Sequence, residues 1–174
     1  STARSTERPR TQPIQATPAA PGDAAAPPAW VRPCLVVITA TLARQLGATP
    51  HLYSLSARPR DVVMSVRDPR APRDIDRHTW QDGVITGPEP DGVRDPDEPR
   101  WRTSTPGQVR LAAVPRRARL AESRPLEGGV TDDMCVSGGT AGPVIGAHRR
   151  GLRQRLVQYA DARGRVREVQ RLSP

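Results

Sequence analysis

The residues able to do chemistry are few and widely spaced: Cys34, Cys135, His51, His78, His148, and Ser137 at the head of a Ser-Gly-Gly run. A serine nucleophile needs a base that can take its proton and a group that orients the base. No segment around the three histidines supplies that pair, so 137–142 reads as a Gly-rich hairpin loop and no catalytic residue is expected. The His and Cys spacings match no local ligand motif such as Cys-x-x-Cys or His-x-x-x-His, so neither a metal nor another cofactor is expected. His78, two residues before Trp80, suits a cross-strand role.

Two other groupings remain. Cys34 and Cys135 are the only cysteines, and an even count makes them a disulfide candidate; two separate buried thiols are the alternative. All 27 basic residues are Arg, and the formal net charge is +9. Residues 34–100 carry nine Arg against ten acidic residues, whereas 101–174 carry fourteen against six. Arg116, Arg117 and Arg119, with Arg149, Arg150, Arg153 and Arg155, form a candidate anion-binding face. The alternative is that these arginines only solvate the surface. Specific nucleic-acid readers interleave aromatics or carry a reading helix; aromatics are 3% here, which leaves only non-specific phosphate binding.

The elements that must position these groups follow from periodicity. Residues 1–29 are rich in Pro, Ala, Thr and Ser and read as a disordered linker. Trp30 opens the folded part. Pro33 and the spacing of Leu35, Ile38 and Leu42 predict a helix over 34–46, stopped by Gly47. Strands are expected at 51–57, 61–66 and 74–81, followed by an Asp82-Gly83 turn and a returning strand from Val84. Gly-Pro and Asp-Pro pairs over 87–106 read as a connector. A second helix is expected around 109–123, then strands at 130–136, 144–149, 152–160 and 166–172.

The order of signals repeats at an offset near 82 residues. Pro33, Tyr53, Asp61-Val62-Val63 and Gly83 correspond to Pro115, Cys135, Pro143-Val144-Ile145 and Gly164. The expected fold class is therefore α+β: two repeated units, 30–100 and 101–174, each one helix on an antiparallel meander of three to four strands. The segments 61–69, 76–83 and 159–166 resemble the tandem α–β modules of actinobacterial extracytoplasmic proteins, PepSY-like and β-lactamase-inhibitor-protein-like. The resemblance covers about residues 30–172 and implies a secreted or membrane-tethered binding module without an active site. Ser137-Gly138-Gly139 also resembles the nucleophile loop of trypsin-like proteases, but Val136 stands where that loop carries Asp.

The functional expectation is a non-enzymatic, extracytoplasmic interaction module on a flexible tether, with a protein or an anionic envelope polymer as partner. The alternatives are an arginine-rich nucleic-acid-binding protein, a small secreted serine hydrolase using Ser137, and a spurious reading frame in GC-rich DNA. The ordered repeat opposes the last. No apolar run approaches the ~20 residues of a membrane-spanning helix. Because Ser1 rather than Met begins the chain, an upstream segment is expected to have been removed, and whether it held a signal or anchor stays open.

Overall fold

A computed structural model describes residues 28–30, 34–93, 102–138 and 142–172, with Cys34 described by its backbone alone. Helix α1 (Cys34–Leu46) is followed by β1 (Leu52–Ala57), β2 (Asp61–Arg67), β3 (Asp74–Gln81) and β4 (Val84–Val93). A 3-10 turn, Leu111–Ala113, leads into α2 (Val114–Glu122), and β5 (Val130–Ser137), β6 (Val144–Arg150), β7 (Arg155–Asp161) and β8 (Val166–Leu172) complete the chain.

Local chemistry accounts for the helices. Leu35, Ile38 and Leu42 are buried on one face of α1. The run Val36-Val37-Ile38-Thr39 favours a strand by propensity. Burial at helical spacing overrides it, and Thr39 Oγ1 donates back to the Leu35 and Val36 carbonyls at 2.9 and 3.2 Å. Gly47 ends the helix at φ 65°, with Ala48 N bonded to Ala43 O and Gly47 N to Arg44 O, a Schellman closure. In α2, Pro115 sits in the first turn, where its missing N–H costs nothing, and Val114, Ala118 and Ala121 are buried.

The expectation of two repeated helix-on-meander units is overturned. All eight strands form one antiparallel sheet in the order β4-β3-β2-β1-β5-β6-β7-β8. The first strands of the two halves pair directly, with Leu55 opposite Val136 and Ala57 opposite Met134. The core is likewise one: Leu35, Ile38, Leu42, Leu55 and Met64 share a buried cluster with Val109, Val114, Met134 and Ile145. The backbone of α1 comes closest to the 3-10 turn of the other half, whereas α2 packs on β5 and β6. The physical reason is the edge problem. A separate meander would leave β1 or β5 with a row of unpaired N–H and C=O groups, and each unit would have a small core. Pairing β1 with β5 removes both edges and pools the cores.

The connector expected over 87–106 is also corrected at its start, because β4 continues through Pro88 and Pro90 to Val93. Proline donates no ladder hydrogen bond, but β4 is an edge strand, where that loss is tolerated. Residues 94–101 of the connector lie outside the described residues, as do 1–27 of the expected linker. Ala29, at the end of that linker, is instead buried beside Trp30, and its N–H bonds Pro59 O at 3.2 Å. The strand expected from Leu152 begins at Arg155, since Gly151 N bonds Gln154 O and closes a turn.

Candidate functional site

Of the seven arginines of the expected anion face, one is not at the surface. Arg149 is buried, and its guanidinium is occupied by the protein itself. Nη1 donates to Ala121 O at 2.9 Å and Arg124 O at 2.8 Å, and Nη2 donates to Gly129 O at 3.0 Å. These carbonyls end α2 and shape the chain entering β5, so Arg149 is a C-terminal clamp on the helix. Arg150 points away from this clamp, largely exposed, 3.8 Å from Asp132. Arg153 and Arg155 are exposed at the β6–β7 turn. Arg117, in the first half of α2, lies against the β7–β8 turn: a Cβ placed on Gly164 would stand 2.5 Å from its Nε. That turn adjoins Val144 at the start of β6, five residues or about 17 Å along the strand from the Arg149 backbone. Arg116, Arg117 and Arg119 are thus carried by α2, and Arg150, Arg153 and Arg155 flank the β6–β7 turn.

Arg116, exposed, does share a surface with Arg110. Both line a groove of about 540 Å³ between α1 and the 3-10 turn. Its floor is apolar, from Val36, Pro106, Leu111 and Ala112. Val36 is 49% exposed at this mouth, whereas its neighbour Val37, 52% exposed, lies about 100° round the helix and outside the groove. The sequence had marked Arg116 but neither Arg110 nor Val36, because the groove exists only where the two halves meet.

The opposite face of the sheet carries the second grouping. Strand alternation sends Leu55, Met134, Val136, Ile145 and Ala147 toward the helices, and Ser56, Asp133, Cys135 and His148 away from them. Asp133 stands opposite His148, and Cys135 opposite Gly146. One ligand atom from each of Asp133, Cys135 and His148 lies within 4.8 Å of the others, and all three residues are half-buried. Cys135 Sγ is 3.5 Å from His148 Nε2. Ser56 Oγ, reaching across from β1, donates to Asp133 Oδ1 at 2.6 Å. A Cβ at position 146 would stand 2.5 Å from Cys135 Sγ, so glycine is what leaves room for the sulfur.

As a nucleophile Cys135 is poorly prepared. Burial first, and the Asp133 carboxylate second, push its thiol up to about 11, which keeps it protonated near neutrality. Ser137 has no base opposite it: it pairs with Ser54 and Val144, four residues along β6 from His148. Cys135 is a free thiol in this structure, and the Cys34 side chain, its expected disulfide partner, lies outside the described residues.

The remaining histidines are apart from this cluster. His78 is buried on β3, opposite Met64, with neither ring nitrogen partnered. Burial lowers its pKa, and Asp76 partly offsets the shift. His51 lines a smaller cavity with Arg67, Asp68 and Pro69; its pKa is lowered by burial and then by Arg67. Trp80 packs beneath the helices while Tyr159, opposite Gly146, belongs to the other face. No helix among the described residues is long and apolar enough to cross a membrane. No protein-family model, no curated protein and no solved structure matches this chain.

Proposed function

We propose that this chain is a non-enzymatic binding module, and that its partner is an acidic, amphipathic segment of another protein docking between α1 and the 3-10 turn that leads into α2. The observation that carries this reading is the groove with an apolar floor of Val36, Pro106 and Leu111 and an arginine rim of Arg110 and Arg116. An apolar floor rewards a partner that brings Leu or Ile side chains, at roughly 25 cal/mol per Å² buried. The two guanidiniums reward carboxylates on the partner's other face and disfavour basic segments. The chain's excess of Arg over acidic residues adds long-range attraction for the same partner. A bare polyanion gains only the charge term and has no use for the floor, which is why a protein segment suits the groove better than an envelope polymer or nucleic acid.

The test is fluorescence anisotropy with a labelled amphipathic peptide, Leu on one face and Glu on the other, beside labelled poly-glutamate and duplex DNA. Tighter binding of the amphipathic peptide is expected. Arg110→Gln with Arg116→Gln should weaken it by about tenfold and flatten its salt dependence. Val36→Ser should weaken the peptide and leave poly-glutamate unchanged. If DNA or poly-glutamate binds as tightly as the peptide, or the double variant binds the peptide as the parent does, the groove is not the docking site.

A further inference from the structure

We propose that Asp133, Cys135 and His148 form a zinc(II) site on the helix-free face of the sheet, with Ser56 orienting the carboxylate and the fourth coordination position open.

The geometry is the first support. Zinc–sulfur and zinc–imidazole bonds of about 2.3 and 2.05 Å at the tetrahedral angle put sulfur and nitrogen about 3.6 Å apart. Cys135 Sγ and His148 Nε2 are 3.5 Å apart, one edge of that tetrahedron. The full set of three ligand atoms lies within 4.8 Å, so small χ rotations of Asp133 close the triangle. The ligand types agree as well. Thiolate and imidazole together select a borderline-soft ion over calcium or magnesium, which take oxygen ligands.

The surroundings are the second support. Ser56 bonds Asp133 Oδ1 and leaves Oδ2 free, as a hydrogen-bonded ligating carboxylate requires. Gly146 holds open the space for sulfur. Buried Val157 stands opposite His148 on β7, an apolar wall beside the imidazole. The three ligands come from two neighbouring strands whose pairing is set by the sheet, so the site is largely preformed and costs little ordering on binding. On binding, the thiol releases its proton to solvent, the sulfur and imidazole lone pairs and the carboxylate enter the zinc shell, and water fills the fourth position. Three protein ligands and one exchangeable position are the pattern of a site that can take a further donor from a partner.

The experiment uses the full chain, reduced and stripped with chelator. Zinc(II) affinity is read by competition with a chromophoric chelator, and cobalt(II) replaces zinc for spectroscopy. Expected are one ion per chain, a thiolate-to-cobalt charge-transfer band, and the intense visible bands of tetrahedral cobalt(II). Cys135→Ser should abolish the charge-transfer band and weaken zinc by more than about 100-fold, and His148→Gln by at least about tenfold. Cys34→Ser should leave both unchanged. X-ray absorption on the zinc-loaded parent protein provides a measurement that needs no variant: one sulfur and at least one imidazole in the shell are expected. A shell without sulfur, a charge-transfer band lost in Cys34→Ser instead, or Cys135→Ser binding within about twofold of the parent would overturn the assignment.

Discussion

Replacing Arg149 separates a structural arginine from its solvated neighbour. Arg149→Ala removes three charge-assisted hydrogen bonds, to Ala121 O, Arg124 O and Gly129 O. Each is worth about 1.5–3 kcal/mol, and three donated by one group do not add fully. The unpartnered Nε already costs something in the native protein, which reduces the net loss. The expected destabilisation is about 3–5 kcal/mol. In a protein of this size 1 kcal/mol moves the melting midpoint by about 2–4 °C, so the fall should be on the order of 6–20 °C. Arg150→Ala is the control, because its side chain is 62% exposed and its contact with Asp132 is 3.8 Å long. It should stay within about 0.5 kcal/mol of the parent. Arg149→Lys keeps the charge but loses the planar fork, and should fall between the two. Urea unfolding followed by tryptophan fluorescence, with thermal melts by circular dichroism, measures all three. If Arg149→Ala lies within about 1 kcal/mol of Arg150→Ala, water satisfies the end of α2 and the clamp has no energetic role.

Other substitutions test separate parts of the fold and site. His78 is buried with both ring nitrogens unpartnered, so His78→Leu should stabilise by about 1–2 kcal/mol at neutral pH; a loss in urea unfolding would show an unseen partner. The same residue sets a pH dependence. Burial holds its folded pKa below the ordinary histidine value of about 6.5, so as pH falls below that value the unfolded chain takes up a proton before the folded one does. Stability should then drop with a slope of at most ~1.4 kcal/mol per pH unit, and His78→Leu should flatten this acid arm; equal slopes would refute it. Gly47→Ala should cost about 1 kcal/mol from the left-handed φ alone, since nothing lies within 4 Å of the added methyl; melting curves decide. Ser56→Ala should weaken zinc by about tenfold in the chelator competition while leaving the cobalt charge-transfer band in place, because it frees the carboxylate without touching the sulfur.

The sequence was most legible where chemistry is local. Leu35, Ile38 and Leu42 announce α1, Gly47 its end, and Asp82-Gly83 the β3–β4 turn, each through residues within one or two turns of chain. It was least legible where partners are remote. Nothing in Leu52–Ala57 or Val130–Ser137 says that these strands pair with each other, since alternation marks a buried face and not the neighbour along the sheet. Arg149 and Arg150 are adjacent and of one type, yet strand alternation sends one under α2 and the other to solvent. Asp133, Cys135 and His148 fit no short ligand motif, but the signal was present in another form. Once Ser137 is set opposite Val144, the hairpin carries Cys135 to Gly146 and Asp133 to His148, and a search along strand pairs would have found them. Both proposed sites thus depend on long-range pairing, but in different ways. The zinc ligands need only the β5–β6 hairpin, with Ser56 added from β1. The groove needs Val36 from the first half and Leu111 and Arg116 from the second, so it exists only when β1 and β5 have joined the halves. A change that opens the β1–β5 seam should therefore abolish peptide docking while weakening zinc by no more than the roughly tenfold lost with Ser56. The reverse pattern would mean that the two sites have been assigned to the wrong faces of the sheet.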